Sequence, residues 1–189
     1  FEGHTGKVYN VNFSSDGQRL ATAGEDGTAR LWNLSGKELR KFEGHTGKVY
    51  SANFSSDGQR LATAGEDGTV RLWNLSGKEL RQFPGHTGKV YSTNFSPDGQ
   101  RLATAGEDGT VRLWNLAGQQ LAQFDRDRSA AYNLSFSSSG QHLATVGASG
   151  MVQLWEIETL DELLHRGCSW LSEYLDTHDA KAHLCSSQP

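Results

Sequence analysis

A histidine, a threonine, an aspartate and a tryptophan recur three times at one fixed spacing. They are His4, Thr22, Asp26 and Trp32, then His45, Thr63, Asp67 and Trp73, then His86, Thr104, Asp108 and Trp114. An imidazole between a hydroxyl and a carboxylate is the apparatus of nucleophilic acyl transfer: the ring takes the hydroxyl proton and the carboxylate orients the ring. The tryptophan argues for a different use. A buried indole N–H needs an acceptor, and a threonine oxygen can accept it while passing its own proton to the imidazole. The second ring nitrogen then donates to the aspartate. A chain of this kind, closed at every link, specifies one packing, and each bond contributes about 1 kcal/mol net. Three identical constellations have no use in one active site, and the sequence offers no asymmetric cluster of nucleophile, base and oxyanion donors. These twelve residues therefore read as a structural network, with no catalytic residue and no cofactor.

Metal chemistry fares no better. His178, His183, Cys185 and Cys168 are ligand types, but their spacing is irregular and no C-x-x-C pair is present, so no metal site is expected.

The elements that must position the network are copies of one another. Phe1, Phe42, Phe83 and Phe124 open segments 41 residues apart, and the first two segments differ only at Asn10/Ser51, Val11/Ala52, Ala29/Val70 and Lys41/Gln82. A period near 40–45 residues with a Gly-His pair and a strand-ending tryptophan marks a four-stranded propeller blade. Within the second copy, residues 48–54 alternate as a strand and Ser55-Ser56-Asp57-Gly58 is a tight turn. Residues 60–65 are short, small and apolar, as an interior strand covered on both faces would be. Glu66-Asp67-Gly68 turns again, residues 69–75 form a third strand, and 78–83 a more polar outer one. A single blade cannot bury its faces without neighbours. The expected fold is thus all-β, with blades at 1–41, 42–82, 83–123 and 124–158.

Composition narrows the function. The 189 residues carry a formal net charge of −4, which argues against a bulk electrostatic binder of nucleic acid or membrane. The repeats contain no apolar run long enough to span a bilayer, and the residues from Phe1 onward show no charged-then-apolar leader pattern. Two cysteines, both outside the repeats, fit a reducing compartment, so a cytoplasmic location is expected.

Gly-His near the start and Asp-Gly at the second turn of the first three copies, with Leu-Ala-Thr in the second strand and Trp in the third strand of all four, resemble the WD-repeat family of β-propellers over about residues 1–158. The Trp-Asp pair that names the family is Trp-Asn here, at Asn33, Asn74 and Asn115, and Trp-Glu at Glu156. The resemblance implies that His, Thr, Asp and Trp form the buried chain inferred above. It also implies a face on which partners dock, with three positions per blade: Lys7, Tyr9 and Glu25; Lys48, Tyr50 and Glu66; Lys89, Tyr91 and Glu107; and Ala130, Tyr132 and Ala148 in the fourth copy. Tyrosine buries area at low entropic cost and keeps a polar tip, which suits protein recognition. Two other readings stand beside it: the tyrosines line a central channel, and Lys7 simply pairs with Glu25 at a solvated rim, where such pairs contribute about 0–1 kcal/mol.

The fourth copy departs from the rest. Arg126, Asp127 and Ser149 replace the Gly, His and Asp, while Thr145 and Trp155 remain, as expected of a terminal repeat. Beyond residue 158 the period lengthens to about 3.6. Thr159 and Glu162 make a capping box, and Leu160, Leu164, Cys168, Leu171 and Leu175 share one face. A C-terminal amphipathic α-helix over 159–178 is expected, either capping the last blade's open edge or serving a partner, with a flexible tail at 179–189. This segment resembles the end of many multidomain bacterial WD-repeat proteins. Four blades span about half of an eight-bladed ring, so the chain is either a fragment or one half of a homodimer that closes such a ring. The function expected is a non-enzymatic scaffold presenting the Tyr/Lys/Glu face to a protein or peptide. The alternative is a regulatory module of a larger bacterial signalling NTPase or kinase.

Overall fold

The computed structural model describes residues 1–125 and 129–157. The chain divides into two units, Phe1–Trp155 and Glu156–Pro189. The sheets occupy the first. Strands β1 (Val8–Phe13), β2 (Arg19–Gly24), β3 (Ala29–Asn33) and β4 (Glu38–Phe42) form one sheet in that order. β5 (Val49–Phe54), β6 (Arg60–Gly65), β7 (Val70–Asn74) and β8 (Glu79–Phe83) form the second. β9 (Val90–Phe95), β10 (Arg101–Gly106), β11 (Thr110–Asn115) and β12 (Gln120–Asp125) form the third. β13 (Ala131–Phe136), β14 (His142–Gly147) and β15 (Val152–Glu156) make a fourth sheet of three strands among the described residues. The fold is all-β, in antiparallel blades. The expected helix over 159–178, the tail over 179–189 and the substitutions at Arg126 and Asp127 lie outside the described residues.

The hairpins close because the turn sequence satisfies its own backbone. In Ser55-Ser56-Asp57-Gly58 the Gly58 N–H donates to the Ser55 carbonyl at 2.8 Å and Gly58 takes a φ of 65°, which costs a residue without a Cβ little. The Asp57 carboxylate accepts from the Gln59 N–H at 2.9 Å, and the Ser55 hydroxyl oxygen accepts from the Arg60 N–H at 3.0 Å. The same bonds recur at Ser14 and Ser96.

Between sheets the chain packs by small residues. Ala62 and Ala64 of β6 are fully buried, and with Val70 and Leu72 they close on Val90, Phe95, Leu102 and Trp114 of the third sheet. One step earlier, Ala21, Ala23, Ala29 and Leu31 close on Val49, Ala52, Leu61 and Trp73. Alanine at these positions lets one sheet approach the next, which is why the Leu-Ala-Thr-Ala strand is covered on both faces. Phe42, at the end of β4, reaches across to Trp73 of the second sheet with ring centroids 5.7 Å apart. Phe83 does the same to Trp114 at 5.8 Å.

Replacing Ala64 by leucine forces a larger side chain into a filled seam and should destabilise by about 1–3 kcal/mol. Thermal unfolding followed by circular dichroism should show a lowered midpoint for Ala64→Leu and no change for Gln59→Leu at the exposed turn. Equal midpoints for the two variants would mean that the seam is not close-packed.

Candidate interaction face

The network residues are brought together in each of the first three sheets. Trp73 Nε1–H donates to Thr63 Oγ1 at 2.8 Å, Thr63 Oγ1 lies 2.8 Å from His45 Nε2, and His45 Nδ1 lies 3.0 Å from Asp67 Oδ1. The matching distances are 2.8, 2.7 and 3.0 Å for Trp32, Thr22, His4 and Asp26. They are 3.0, 2.8 and 3.0 Å for Trp114, Thr104, His86 and Asp108. The Asp67 carboxylate can only accept, so Nδ1 must carry the proton given to it, and Nε2 of the neutral ring then accepts the threonine proton. One tautomer satisfies the whole chain. Asp67 also accepts the Thr46 N–H at 3.0 Å, tying down the loop that carries His45.

Two further residues per sheet, Thr69 and Arg71 in the second, belong to this cluster and were missed in the sequence. Thr69 Oγ1 donates to Asp67 at 2.8 Å, and Arg71 sits beside it, with Nη1 2.7 Å from Glu79. Thr69, Arg71 and Trp73 lie two residues apart along one strand, so period-two alternation places them on one face; that spacing was the available signal. Gly65 is required for room: a Cβ there would lie 2.7 Å from His45 Nδ1. In the fourth sheet Trp155 still donates to Thr145, at 3.0 Å.

Electrostatics follow burial and bonding. Burial pushes the Asp26 carboxyl up, but hydrogen bonds from Thr28, His4 and the Thr5 N–H outweigh it and hold the group well below the usual carboxylate range. At Asp67, burial is likewise outweighed by His45 and the Thr46 N–H. Burial lowers the His86 pKa, against the pull of Asp108. The His86–Asp108 contact is therefore a neutral N–H donating to a carboxylate rather than an ion pair at neutral pH.

The relay positions the residues of the face. Lys48 follows His45 by three residues and Glu66 precedes Asp67 directly. The Glu66 N–H donates to the Lys48 carbonyl at 2.8 Å, and the Lys48 N–H returns a bond to Glu66 Oε2 at 3.3 Å. The same clasp joins Lys7 with Glu25 and Lys89 with Glu107; at the fourth sheet it is a backbone bond from Ala148 to Ala130 at 3.0 Å. The charged ends reach elsewhere. Glu25 pairs across the seam with Lys48 at 3.0 Å, and Lys89 lies 3.9 Å from Glu66 and 3.8 Å from Glu107. Glu25–Lys48 and Glu66–Lys89 thus bridge neighbouring sheets, while Lys89–Glu107 is a pair within one copy, of the kind considered from the sequence for Lys7 and Glu25.

Each tyrosine is the extra residue of a β-bulge. Val49 pairs with Gly65 and Ser51 with Ala64, which leaves Tyr50 without a partner; Tyr9, Tyr91 and Tyr132 are skipped in the same way. Bulges re-aim a side chain. Here they bring the four rings into a row, with centroids 5.3 Å apart at Tyr9–Tyr50, Tyr50–Tyr91 and Tyr91–Tyr132. Tyr50 and Tyr91 hydroxyls lie 3.5 and 3.4 Å from Glu66 and Glu107. Burial first, then the Glu107 charge, pushes the Tyr91 phenol up to about 12.

The family model described as WD domain, G-beta repeat matches residues 1–33, 36–74, 77–115 and 118–156. The chain belongs to the WD-repeat family. Similar proteins include a WD repeat-containing protein of the cyanobacterium Synechocystis, slr1409, at 46% identity over 37 residues. That match takes in 20% of this chain and 11% of the relative. A second Synechocystis WD repeat-containing protein, slr1410, is 56% identical over 36 residues, or 19% of this chain and 11% of its own length. Pre-mRNA-processing factor 19 homolog 2 of Arabidopsis thaliana is 55% identical over 42 residues, or 22% and 7%. Each match spans about one repeat and 7–11% of the relative. WD-repeat domains generally mediate protein–protein interaction, and proteins of this kind are typically non-enzymatic scaffolds.

The WD-repeat units are offset from the sheets by one strand: the unit over 36–74 takes β4 from the first sheet and β5, β6 and β7 from the second. The Trp-Asn departure is accommodated locally. Asn74 Oδ1 accepts from the Lys78 N–H at 2.9 Å and from the Ser76 hydroxyl at 2.7 Å, the bonds a carboxylate oxygen would take. Among the described residues, no group of three His, Cys, Asp or Glu side chains could hold a metal ion, and no helix is long and apolar enough to cross a membrane.

Removing the imidazole in His45→Ala strands the Thr63 proton and one Asp67 bond, at a cost of about 1–3 kcal/mol. The melting temperature should fall by several degrees; an unchanged midpoint would show that the relay does not hold the sheet. Stability should also depend on pH with a definite sign. His86 is lowered and Asp26 and Asp67 are lowered, so the unfolded chain binds the extra protons in both windows. Unfolding free energy should decline as pH drops below about 6.5 and decline further below about 4, the ordinary values these groups regain on unfolding. Denaturant titrations across this range that gave a flat profile would contradict the assignment.

Proposed function

We propose that this chain is a non-catalytic scaffold whose tyrosine row, flanked by Lys48, Lys89, Glu25, Glu66 and Glu107, holds a protein or peptide partner. The row itself carries this reading. Four rings stand in line across three seams at equal steps, and the rings at its two ends, Tyr9 and Tyr132, are exposed. Neighbouring rings support one another before any partner arrives, so little of the usual ordering cost, about 0.5–1.5 kcal/mol per side chain, falls on binding. The cross-seam Lys–Glu contacts keep both signs of charge beside the rings, which favours a mixed polar and aromatic partner segment over a uniformly charged one. Repetition of the same groups at every blade suits an extended peptide that meets similar chemistry at each step.

Peptides selected by display against the full chain provide the test. Binding measured by fluorescence anisotropy should weaken at least about 10-fold in Tyr50→Ala/Tyr91→Ala, or about 1.4 kcal/mol. Leu80→Ser on the outer strand β8 should leave it unchanged. Peptides that tolerate the double tyrosine variant and are lost in Leu80→Ser would relocate the site to the outer strands.

A further inference from the structure

At two of the three seams a lysine of one sheet settles beside the glutamate of the sheet before it. Lys48 reaches back over the first seam to within 3.0 Å of Glu25. Glu25 first, and after it the Tyr9 hydroxyl, hold its ammonium in the charged form. Lys89 reaches over the second seam in the same way and lies 3.9 Å from Glu66. The third seam repeats the tyrosines and the carboxylate but not the lysine. Ala130 stands where Lys48 and Lys89 stand, on the same backbone clasp: the Ala148 N–H donates to its carbonyl at 3.0 Å, as the Glu66 N–H donates to that of Lys48 at 2.8 Å. A methyl group cannot span the seam, so among the described residues Glu107 meets no lysine from the fourth sheet. It keeps the Tyr91 hydroxyl at 3.4 Å and, at 3.8 Å, the ammonium of Lys89 from its own sheet, which it shares with Glu66. Two measures register the difference. The Glu107 side chain is 45% exposed, against 34% for Glu25 and 35% for Glu66. Ring planes stand at 54° over both seams that carry a lysine and at 75° between Tyr91 and Tyr132.

We propose that the corner formed by Glu107, Tyr91 and Tyr132 receives a lysine side chain of the partner peptide, whose ammonium takes the place that Lys48 takes at the first seam. This rests on the tyrosine row as the partner-binding face, and it names the group that sets a peptide's register along that row. A lysine stem lies along apolar surface while its charged end stays polar. An ammonium over a tyrosine face gains about 0.5–1 kcal/mol at an exposed site. The Glu107 carboxylate adds opposite charge, and the lysines at the first two seams indicate the class of cation that such a corner accommodates. A surface that repeats itself offers a peptide equivalent positions at each step. The exchange of lysine for Ala130 makes one step unlike the others, so one lysine in the peptide can choose among them.

The test is an NMR titration of the full chain, carrying isotope-labelled tyrosine, with the end-capped tripeptide Gly-Lys-Gly. Ring resonances of Tyr91 and Tyr132 should shift, and those of Tyr9 should stay in place. The end-capped tripeptide Gly-Leu-Gly should shift neither pair. Glu107→Gln should weaken binding of the lysine tripeptide at least about 10-fold. Ala130→Lys should do the same, because it gives the third seam the lysine that the other two already have. Added sodium chloride should weaken binding to the wild-type chain. Undisturbed Tyr9 resonances in both variants check that the sheets remain. Equal shifts along all four rings, an equal response to the leucine tripeptide, no shift at all, or full binding by Ala130→Lys would each overturn the lysine site. None of these results would remove the tyrosine row as a binding face, which is tested separately by the loss of display-selected peptides in Tyr50→Ala/Tyr91→Ala.

Discussion

A threonine hydroxyl has one proton to give, and the order of each of the first three blades depends on where that proton goes. The Asp67 carboxylate can only accept, so the neutral His45 ring gives it the Nδ1 proton and leaves Nε2 to accept from Thr63. Thr63 in turn accepts from the Trp73 indole, which can only donate. Four pieces of chain are joined as a result: the loop before β5, the strand β6, the turn after it and the strand β7. Lys48 and Glu66 lie next to two of the joined residues, and the backbone clasp between them is an extension of the same bonding. The surface that carries Lys48 and Glu66 therefore takes its shape from an interior set of bonds.

Packing between blades obeys a second constraint, set by size rather than polarity. Ala62 and Ala64 admit the neighbouring sheet, while Trp114 and Phe95 fill the space on the other side. Aromatic contacts such as Phe83 on Trp114 join the outer strand of one sheet to the third strand of the next. Polar bonds run across the inner strands as well: Asn12 donates to the Ala52 carbonyl at 3.1 Å, and Asn53 donates to that of Thr93. The WD-repeat unit, offset by one strand from the sheet, is the sequence expression of this interlock.

Much of this was legible before any coordinates. The turn residues Ser55 to Gly58 and the alternation on either side place β5 and β6 to within a residue of their observed ends, because those signals are local. The relay was legible because tryptophan has a single polar role and the spacing to threonine and histidine repeats. The bulges at Tyr9, Tyr50, Tyr91 and Tyr132 were not, since a skipped residue depends on the register of two strands rather than on one. Thr69 and Arg71 escaped notice for a related reason: each has an ordinary role on a strand, and only proximity to Asp67 gives them another. The Lys48–Glu25 pair joins different copies, whereas reading within one copy suggests a pair within it.

The offset between repeat and sheet bears on how such an array can grow. Phe42 and Phe83 sit at matching strand ends and make matching contacts to Trp73 and Trp114. Excising or duplicating a 41-residue segment between any two such phenylalanines would rejoin residue types that already meet elsewhere in the chain. Array length can thus change by whole units through unequal exchange in the encoding DNA, without a new contact surface having to evolve at the splice.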